Sequence, residues 1–475
     1  MRRDRTGGCG PNRHRSPTSG YRSALAGGPS WSARRLLSRR TTAAGRIWCA
    51  LHHDEPHGWT NLGAHPSSTP GVPMSRSRSS RLVVAGALSV VLGSALLTGC
   101  GSSDDGGSDP SAGLTGDPIT IGYVNTEGKG ALSSPTYTEG VDRAVERVNE
   151  DGGIDGRPVV VKKCLTDGSP ASSIACANGF VESGVVMVLN GLDAGFDAAA
   201  PVLVGARIPA FAALFPGPVA GAEPTFFQMT SPLAALAVPF SALAELEVED
   251  VGFVAIDVPT VKQAYDGVVV PLAGSAGMKT SLITYDPAAV DFTSVVSTLK
   301  ANGTEAAIFS GSEEQCSSFA KAATTLDYQG TVVMGTCTEF IDELGDDAAG
   351  LLTLGFLYPP EAADDAPANI QKDLEQYEDD VTGDGSDVYS LYGYASVIDV
   401  ARVLETIDGE ISPATVGTAF AGLRDFASFA GNTLTCADRP AAQGSACDTS
   451  LLVFRVLEDG TLETVGDGFT APPSA

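Results

Sequence analysis

Seven cysteines and no histidine follow position 99. Without histidine, Ser-His and Cys-His nucleophile pairs and imidazole metal sites are not available to this part of the chain. Six of the cysteines are Cys164, Cys176, Cys316, Cys337, Cys436 and Cys447, and no CxxC pair occurs among them. An even set in an exported chain reads as disulfides rather than a metal site. Six cysteines allow fifteen pairings; the close spacings favour 164–176, 316–337 and 436–447. Carboxylates are the remaining groups able to do acid–base work. A glycosidase pair would need two acids about 5–10 Å apart, and no short motif marks one. There is no G-x-x-x-x-G-K-[ST], and no G-x-G-x-x-G opens a helix after a strand. Carboxylate chemistry stays possible in principle, and no cofactor or metal is implied.

The seventh cysteine, Cys100, closes Leu97-Thr98-Gly99-Cys100 behind the apolar run Leu82–Leu97. Arg76, Arg78 and Arg81 flank that run. A basic flank, a short apolar stretch and small residues before a cut describe a secretory signal peptide. The run is shorter than the roughly 20 residues that span a bilayer. The cut resembles the bacterial lipobox, in which the cysteine becomes the lipid-modified first residue; a short uncut anchor is the alternative. Residues 1–73 contain every Trp and His, show no apolar period and precede Met74, a natural start for the signal. They read as a mis-assigned or disordered extension. Fourteen of the 30 basic residues and 3 of the 57 acidic ones precede Cys100, so the remainder carries 16 basic and 54 acidic residues, a formal charge of −38. Such a chain repels nucleic acid and anionic lipid head groups.

The elements that must position any site alternate along the rest. Gly101–Asp117 is a Gly/Ser/Asp tether. Ile119–Val124 reads as a buried strand, and Ser134-Pro135 as the cap and first position of a helix that stops at Gly152-Gly153. Strand-like and helix-like segments then alternate: 159–163, 172–183, 185–189, 194–205 and 209–214 in one series. A second series follows: 251–256, 262–276, 279–285, 292–301, 306–309, 315–326 and 331–334. Two βα series imply two parallel sheets with helices on their faces. A long helix over 389–406 and a hairpin pairing 451–457 with 461–465 through Asp459-Gly460 complete the pattern.

This order resembles the type I extracytoplasmic solute-binding proteins of ABC importers, in their branched-chain amino-acid and amide branch. The residues that carry the resemblance are ITIGYV (Ile119–Val124), VERVNEDGGIDGRPV (Val145–Val159), Thr166-Asp167, AAIFSGSEEQCSSFAKAATTLDYQGTVVMG (Ala306–Gly335) and SLYGYASVIDVARVLE (Ser390–Glu405). It covers Pro118–Val465. It implies an α/β fold of two Rossmann-like lobes with parallel sheets joined by three crossovers. The lobes are expected at 118–237 plus 357–430 and at 238–356 plus 431–475. The signal peptide (74–99) and tether (100–117) precede them. Crossovers are expected near Gln228–Pro232, Leu357–Pro360 and Ala430–Thr433.

The resemblance also implies a ligand in the cleft, outside the carboxyl ends of the strands. The family holds a substrate carboxylate with hydroxyls after the third and fourth strands. Here those stretches are Asn190-Gly191-Leu192-Asp193 and Phe211-Ala212-Ala213-Leu214-Phe215, which lack them, so backbone amides would serve, with contacts expected on the loops near Asn190 and Ala212. Leu192, Phe211 and Phe215 would form an apolar wall. Asp257, Ser310, Ser312, Glu313 and Glu339 are the candidates on the second lobe, with Asp257 or Glu339 for an amine. Tyr123, Thr126, Tyr358 and Tyr392 could stack on or hydrogen-bond the ligand. The expected protein is a monomeric, non-enzymatic receptor held to the membrane by lipid at Cys100. It would deliver a small molecule to an ABC permease, with a ligand-sensing module as the alternative.

Overall fold

Strand β1 (Ile119–Thr126) is buried on both faces along almost its whole length, as a central strand of a helix-covered parallel sheet must be. The computed structural model describes residues 113–128, 133–213, 215, 217–286, 290–382 and 387–473. Cys100, the signal and the extension lie outside them. The first sheet runs β2-β1-β3-β4-β5, all parallel, with β2 (Val159–Thr166), β3 (Val188–Asn190), β4 (Ala210–Ala212) and β5 (Phe226–Gln228). The edge strand β2 is buried only at its ends, Val159 and Thr166.

The second sheet runs β14-β13-β10-β9-β8-β6-β7. Its parallel part is β6 (Asp250–Ile256), β7 (Lys279–Tyr285), β8 (Ala306–Phe309), β9 (Thr331–Val333) and β10 (Leu352–Gly355). A small pair, β11 (Phe426–Ala427) and β12 (Thr433–Leu434), stands apart. The hairpin β13 (Leu452–Val456) and β14 (Leu462–Thr464) joins β10 antiparallel. Gly460 supplies the positive φ in its turn. Parallel sheets and hairpin agree with the periodicity; β5 and β10, too short to show a period, were not anticipated.

The Asn-x-x-Gly-Gly-Ile-x-Gly-Arg-Pro run is a structural clamp. Asn149, in the last turn of the helix Pro135–Glu150, donates to the Val159 carbonyl (2.9 Å) and accepts from the Val159 amide (2.8 Å). Gly153 has φ +64°, and a Cβ there would lie 2.2 Å from the Arg157 carbonyl oxygen. The side chain and the tight loop together lock the end of the helix onto the start of β2.

That first helix crosses the long return helix Val388–Leu404 at backbone contact. A Cβ at Gly140 would stand 1.9 Å from the Ser390 carbonyl oxygen, and one at Gly393 would stand 2.2 Å from that of Tyr137. The Tyr137 hydroxyl meets Ser396 Oγ at 3.3 Å. Farther along, Arg147 pairs with Asp380, which also accepts from the Tyr394 hydroxyl.

The connections between the sheets correct one expectation. The chain crosses after β5 and again at 356–360. The third crossing is not at Ala430–Thr433, and 431–447 does not join the second sheet. Ala446 bridges Gln228 beside β5, and Cys447 N–H donates to the Gln228 carbonyl (2.8 Å). Arg439 donates to the carbonyls of Pro224 and Phe226 and covers the Phe227 ring. The chain passes to β13 only after Asp448, next to the first crossing, where Ser231 N–H donates to the Asp448 carbonyl (3.1 Å). Ala430 lies instead against the second crossing and accepts from Tyr358 N–H (2.8 Å). It has φ +50°. Asp373 accepts from its amide, and Asp399 from Phe429 N–H and Ser428 Oγ. Burial pushes the Asp399 carboxyl up to about 7. All three expected disulfides, 164–176, 316–337 and 436–447, are formed.

Alanine is a better helix former than glycine by about 1 kcal/mol, so propensity alone would make Gly140→Ala stabilising. Contact with Ser390 reverses the sign: the overpacked pair should cost about 1–3 kcal/mol. Urea denaturation measures this, and an unchanged or raised midpoint would show that the crossing is loose.

Candidate functional site

Three helices begin at one place between the two sheets. Ser134-Pro135 opens the first helix, Asp387-Val388 opens the return helix and Ser312-Glu313 opens the helix Glu313–Thr325. A cavity of about 420 Å³ lies among them, within the roughly 300–1,000 Å³ of small-molecule sites. Ser133–Thr136, Asp387, Val388, Tyr389 and Tyr392 line it from the first-sheet side. Glu313, Thr336, Thr338, Glu339, Ile341 and Asp342 line it from the second, and Leu357, Pro359, Pro360 and Glu361 close it at the second crossing. Helix N-termini present N–H groups and positive dipole ends.

Ser134 is buried and sits where a capping serine belongs, yet its hydroxyl makes no cap bond and has no partner. The backbone around it is fixed. Its amide donates to the Thr126 carbonyl (3.2 Å), and its own carbonyl accepts from Asn125 Nδ2 (2.7 Å). On the opposite wall, Glu313 Oε2 accepts from the amides of Thr338 (3.0 Å) and Glu339 (3.1 Å). The Cys316–Cys337 disulfide ties that loop to the helix. Thr353 Oγ1 holds the Cys337 carbonyl at 2.6 Å. Desolvation raises the Glu313 carboxyl against these amide bonds. It also pushes the Tyr389 hydroxyl to about 12, with Glu313 the next cause, and Tyr392 well above its usual range. Tyr392 packs edge-on to Phe356 and Tyr389. The cavity is therefore lined by a helix start whose serine keeps a buried, unpartnered hydroxyl, by a half-buried carboxylate and by two tyrosines. Among the described residues no acidic or cysteine cluster could hold a metal.

Of the residues expected to touch ligand, Glu339, Glu313 and Tyr392 line this cavity and the others do not. Tyr123 points from mid-strand into the core, bonded to Thr138 (3.0 Å) and stacked on Tyr137. Thr126 is consumed in holding buried Asp193 and the Ala194 amide. Asn190 is buried, donating to the Gly191 carbonyl, and Leu192 is pinned through its amide to Asn125. Ala212 is core, and Phe215 packs between Phe196 and Phe226. Phe211 stacks on Phe420. Tyr358 turns toward Phe454 and Phe469. Asp257, Ser310 and Ser312 are exposed at strand ends and helix starts outside the cavity. Sequence reading missed Ser134 and Tyr389 as site residues. The cap signal Ser134-Pro135 was visible, but a cap normally spends its hydroxyl on its own helix.

The sequence profile of a periplasmic binding protein family matches residues 118–457. The chain is similar in structure to the branched-chain amino acid transporter substrate binding protein of Streptococcus pneumoniae in complex with isoleucine. The identity is 16%, covering 73% of this chain and 99% of that one, with a TM-score of 0.58. It is similar to a leucine binding protein of Thermotoga maritima at 18% identity, covering 74% and 99%, with a TM-score of 0.58. A fatty acid ABC transporter substrate-binding protein of Thermomonospora curvata shares 15% identity over 76% of this chain and 94% of that one, with a TM-score of 0.59. No curated protein matches the chain.

The raised Glu313 carboxyl has a measurable consequence. The fold disfavours its ionised form, so stability is lost as pH rises from the ordinary glutamate range through the raised value. Glu313→Gln keeps an acceptor for the two amides and removes the charge. At neutral pH it should melt at or above the wild-type temperature, and the difference should close toward about pH 4. Thermal denaturation across pH tests this; a variant that is less stable at neutral pH by a pH-independent margin would refute the buried-charge account.

Proposed function

This chain belongs to the periplasmic binding protein family, and from that premise we propose that it is an extracytoplasmic solute receptor serving an ABC permease. The observation that carries the reading is the cavity itself, lined from both sheets beside the crossings. A solute touching both walls favours the closed arrangement by its differential affinity for it. Loaded receptor then presents a composite surface to the permease that the empty one lacks.

The ligand is an amino acid, amide or related small molecule. One structural neighbour holds isoleucine and another serves fatty acids, so the fold leaves the choice to the cavity. Here Ser134 and the uncapped first turn suit a carboxylate or another acceptor. Glu313, with the rim residue Glu339, suits an amine. Tyr389 and Tyr392 supply the flanking surface. The lipobox resemblance at Leu97–Cys100 supports a lipid tether ahead of the folded body, which takes up the chain by Thr115 and Asp117 through bonds to Gly156 and Arg157. Among the described residues no helix is long and apolar enough to cross a membrane.

A thermal-shift screen over amino acids, amides and small acids tests the binding claim. A ligand at 100 times its dissociation constant adds roughly 2.7 kcal/mol. Small-angle scattering with the strongest hit should show a smaller radius of gyration. No hit across the panel, or a hit with no compaction, would count against a closing receptor. For the tether, wild-type protein should fractionate with membranes and Cys100→Ser should not; equal partitioning would remove the lipid from the account.

A further inference from the structure

The charges around the cavity are one-sided. Glu313, Glu339, Asp342, Glu361 and Asp387 line it, and among the described residues no Lys or Arg does. None of the five takes part in an ion pair among the described residues. Glu339, Asp342, Glu361 and Asp387 are exposed and form a rim, while Glu313 is half-buried inside it. Among the described lining residues, Ser134 keeps a buried hydroxyl without a partner. A neutral zwitterion carries one ammonium, which Glu313 alone would satisfy. Closing the cleft on it would desolvate the rim carboxylates with no counter-charge among the described residues, which is costly. A ligand with a second cationic group would offset them.

Resting on the receptor reading above, we propose that the cavity selects an amino acid of net positive charge. Its acceptor end meets Ser134, one ammonium meets Glu313, and a side-chain amine lies among Glu339, Asp342, Glu361 and Asp387. Two features follow from this placement. Selectivity for charge resides in the exposed rim, so it weakens with added salt, because screening lengths are about 10 Å at 0.1 M. The inner pair, Ser134 and Glu313, recognises the amino-acid end common to charged and neutral ligands.

Titration calorimetry on the purified protein tests this with L-lysine, L-leucine and 1,5-diaminopentane at low and high salt. L-lysine should bind at least about tenfold tighter than L-leucine at low salt, an advantage of about 1.4 kcal/mol that several partly exposed pairs together can supply. The advantage should shrink in high salt. 1,5-Diaminopentane, which lacks the acceptor end, should bind more weakly than L-lysine. In the double variant Glu339→Gln, Asp342→Asn, both positions being exposed, the preference for lysine over leucine should fall several-fold. L-leucine binding as well as or better than L-lysine would overturn the charge assignment and leave the receptor reading standing. Diaminopentane matching lysine would overturn the Ser134 end. If none of the three binds, this proposal falls, while the broader ligand screen still decides whether the protein is a receptor at all.

Discussion

Two helices touching through glycine are the constraint on which the cavity depends. The first helix and the return helix are far apart in sequence, and their N-termini sit side by side because Gly140 and Gly393 remove the side chains that would separate them. With even a methyl group at either position, the crossing would open and Ser134 would move away from Tyr389 and Tyr392. The price of such packing is two glycines inside helices, about 1 kcal/mol each relative to alanine. Burial of Tyr137 and Tyr394 along the seam, with the Arg147–Asp380–Tyr394 contact at its far end, offsets that cost. The seam is a rigid bracket, and the bracket holds one wall of the site.

The other wall is held by covalent and polar ties rather than by close packing. The Cys316–Cys337 disulfide, the Glu313 amide bonds and Thr353 together fix the loop 336–339 against the helix that starts at Glu313. Between the walls lie the crossings. They are paired: the first lies beside the chain at 445–450, and the second beside Ala430. On the proposed receptor reading, motion that opens the cleft passes through these backbone hydrogen bonds and one left-handed alanine, Ala430, whose amide donates to Asp373 while Asp399 holds the preceding Ser428 and Phe429. If the receptor closes as proposed, such a connection has few degrees of freedom, which favours a transition between defined states over diffuse flexibility.

What was legible in the sequence was local or repetitive. The βα alternation, the helix start at Ser134-Pro135, the turn at Asp459-Gly460 and the three short-range disulfides all declare themselves within a few turns of chain. The third crossing did not, because Arg439, Ala446 and Cys447 reveal their place only against Pro224–Gln228. The ligand candidates divided in the same way. Glu313 and Glu339 follow strands and could be guessed from the rule for open α/β sheets. Tyr123, Phe215 and Tyr358 have the right chemistry for a binding wall but the wrong pointing direction, which strand phase and core packing decide. Glycines 140 and 393 carry no signal, since the meaning of a missing Cβ lies in the partner backbone.

The groups best placed for ligand are also the ones the empty fold holds least comfortably. Ser134 keeps a buried hydroxyl without a partner, Glu313 keeps a carboxylate in a desolvating wall, and Tyr389 sits against that carboxylate. A sequence selected for stability alone would cap the helix with Ser134 and exchange Glu313 for a neutral residue. Local rules broken at one spot, on elements otherwise well packed and cross-linked, are what the proposed binding site would cost its scaffold. On the proposed reading, a ligand that supplies an acceptor to one wall and a cation to the other would relieve both defects at once. Its affinity would then come partly from interactions the protein alone leaves unmade, and the relief would be available only when the two walls meet around it.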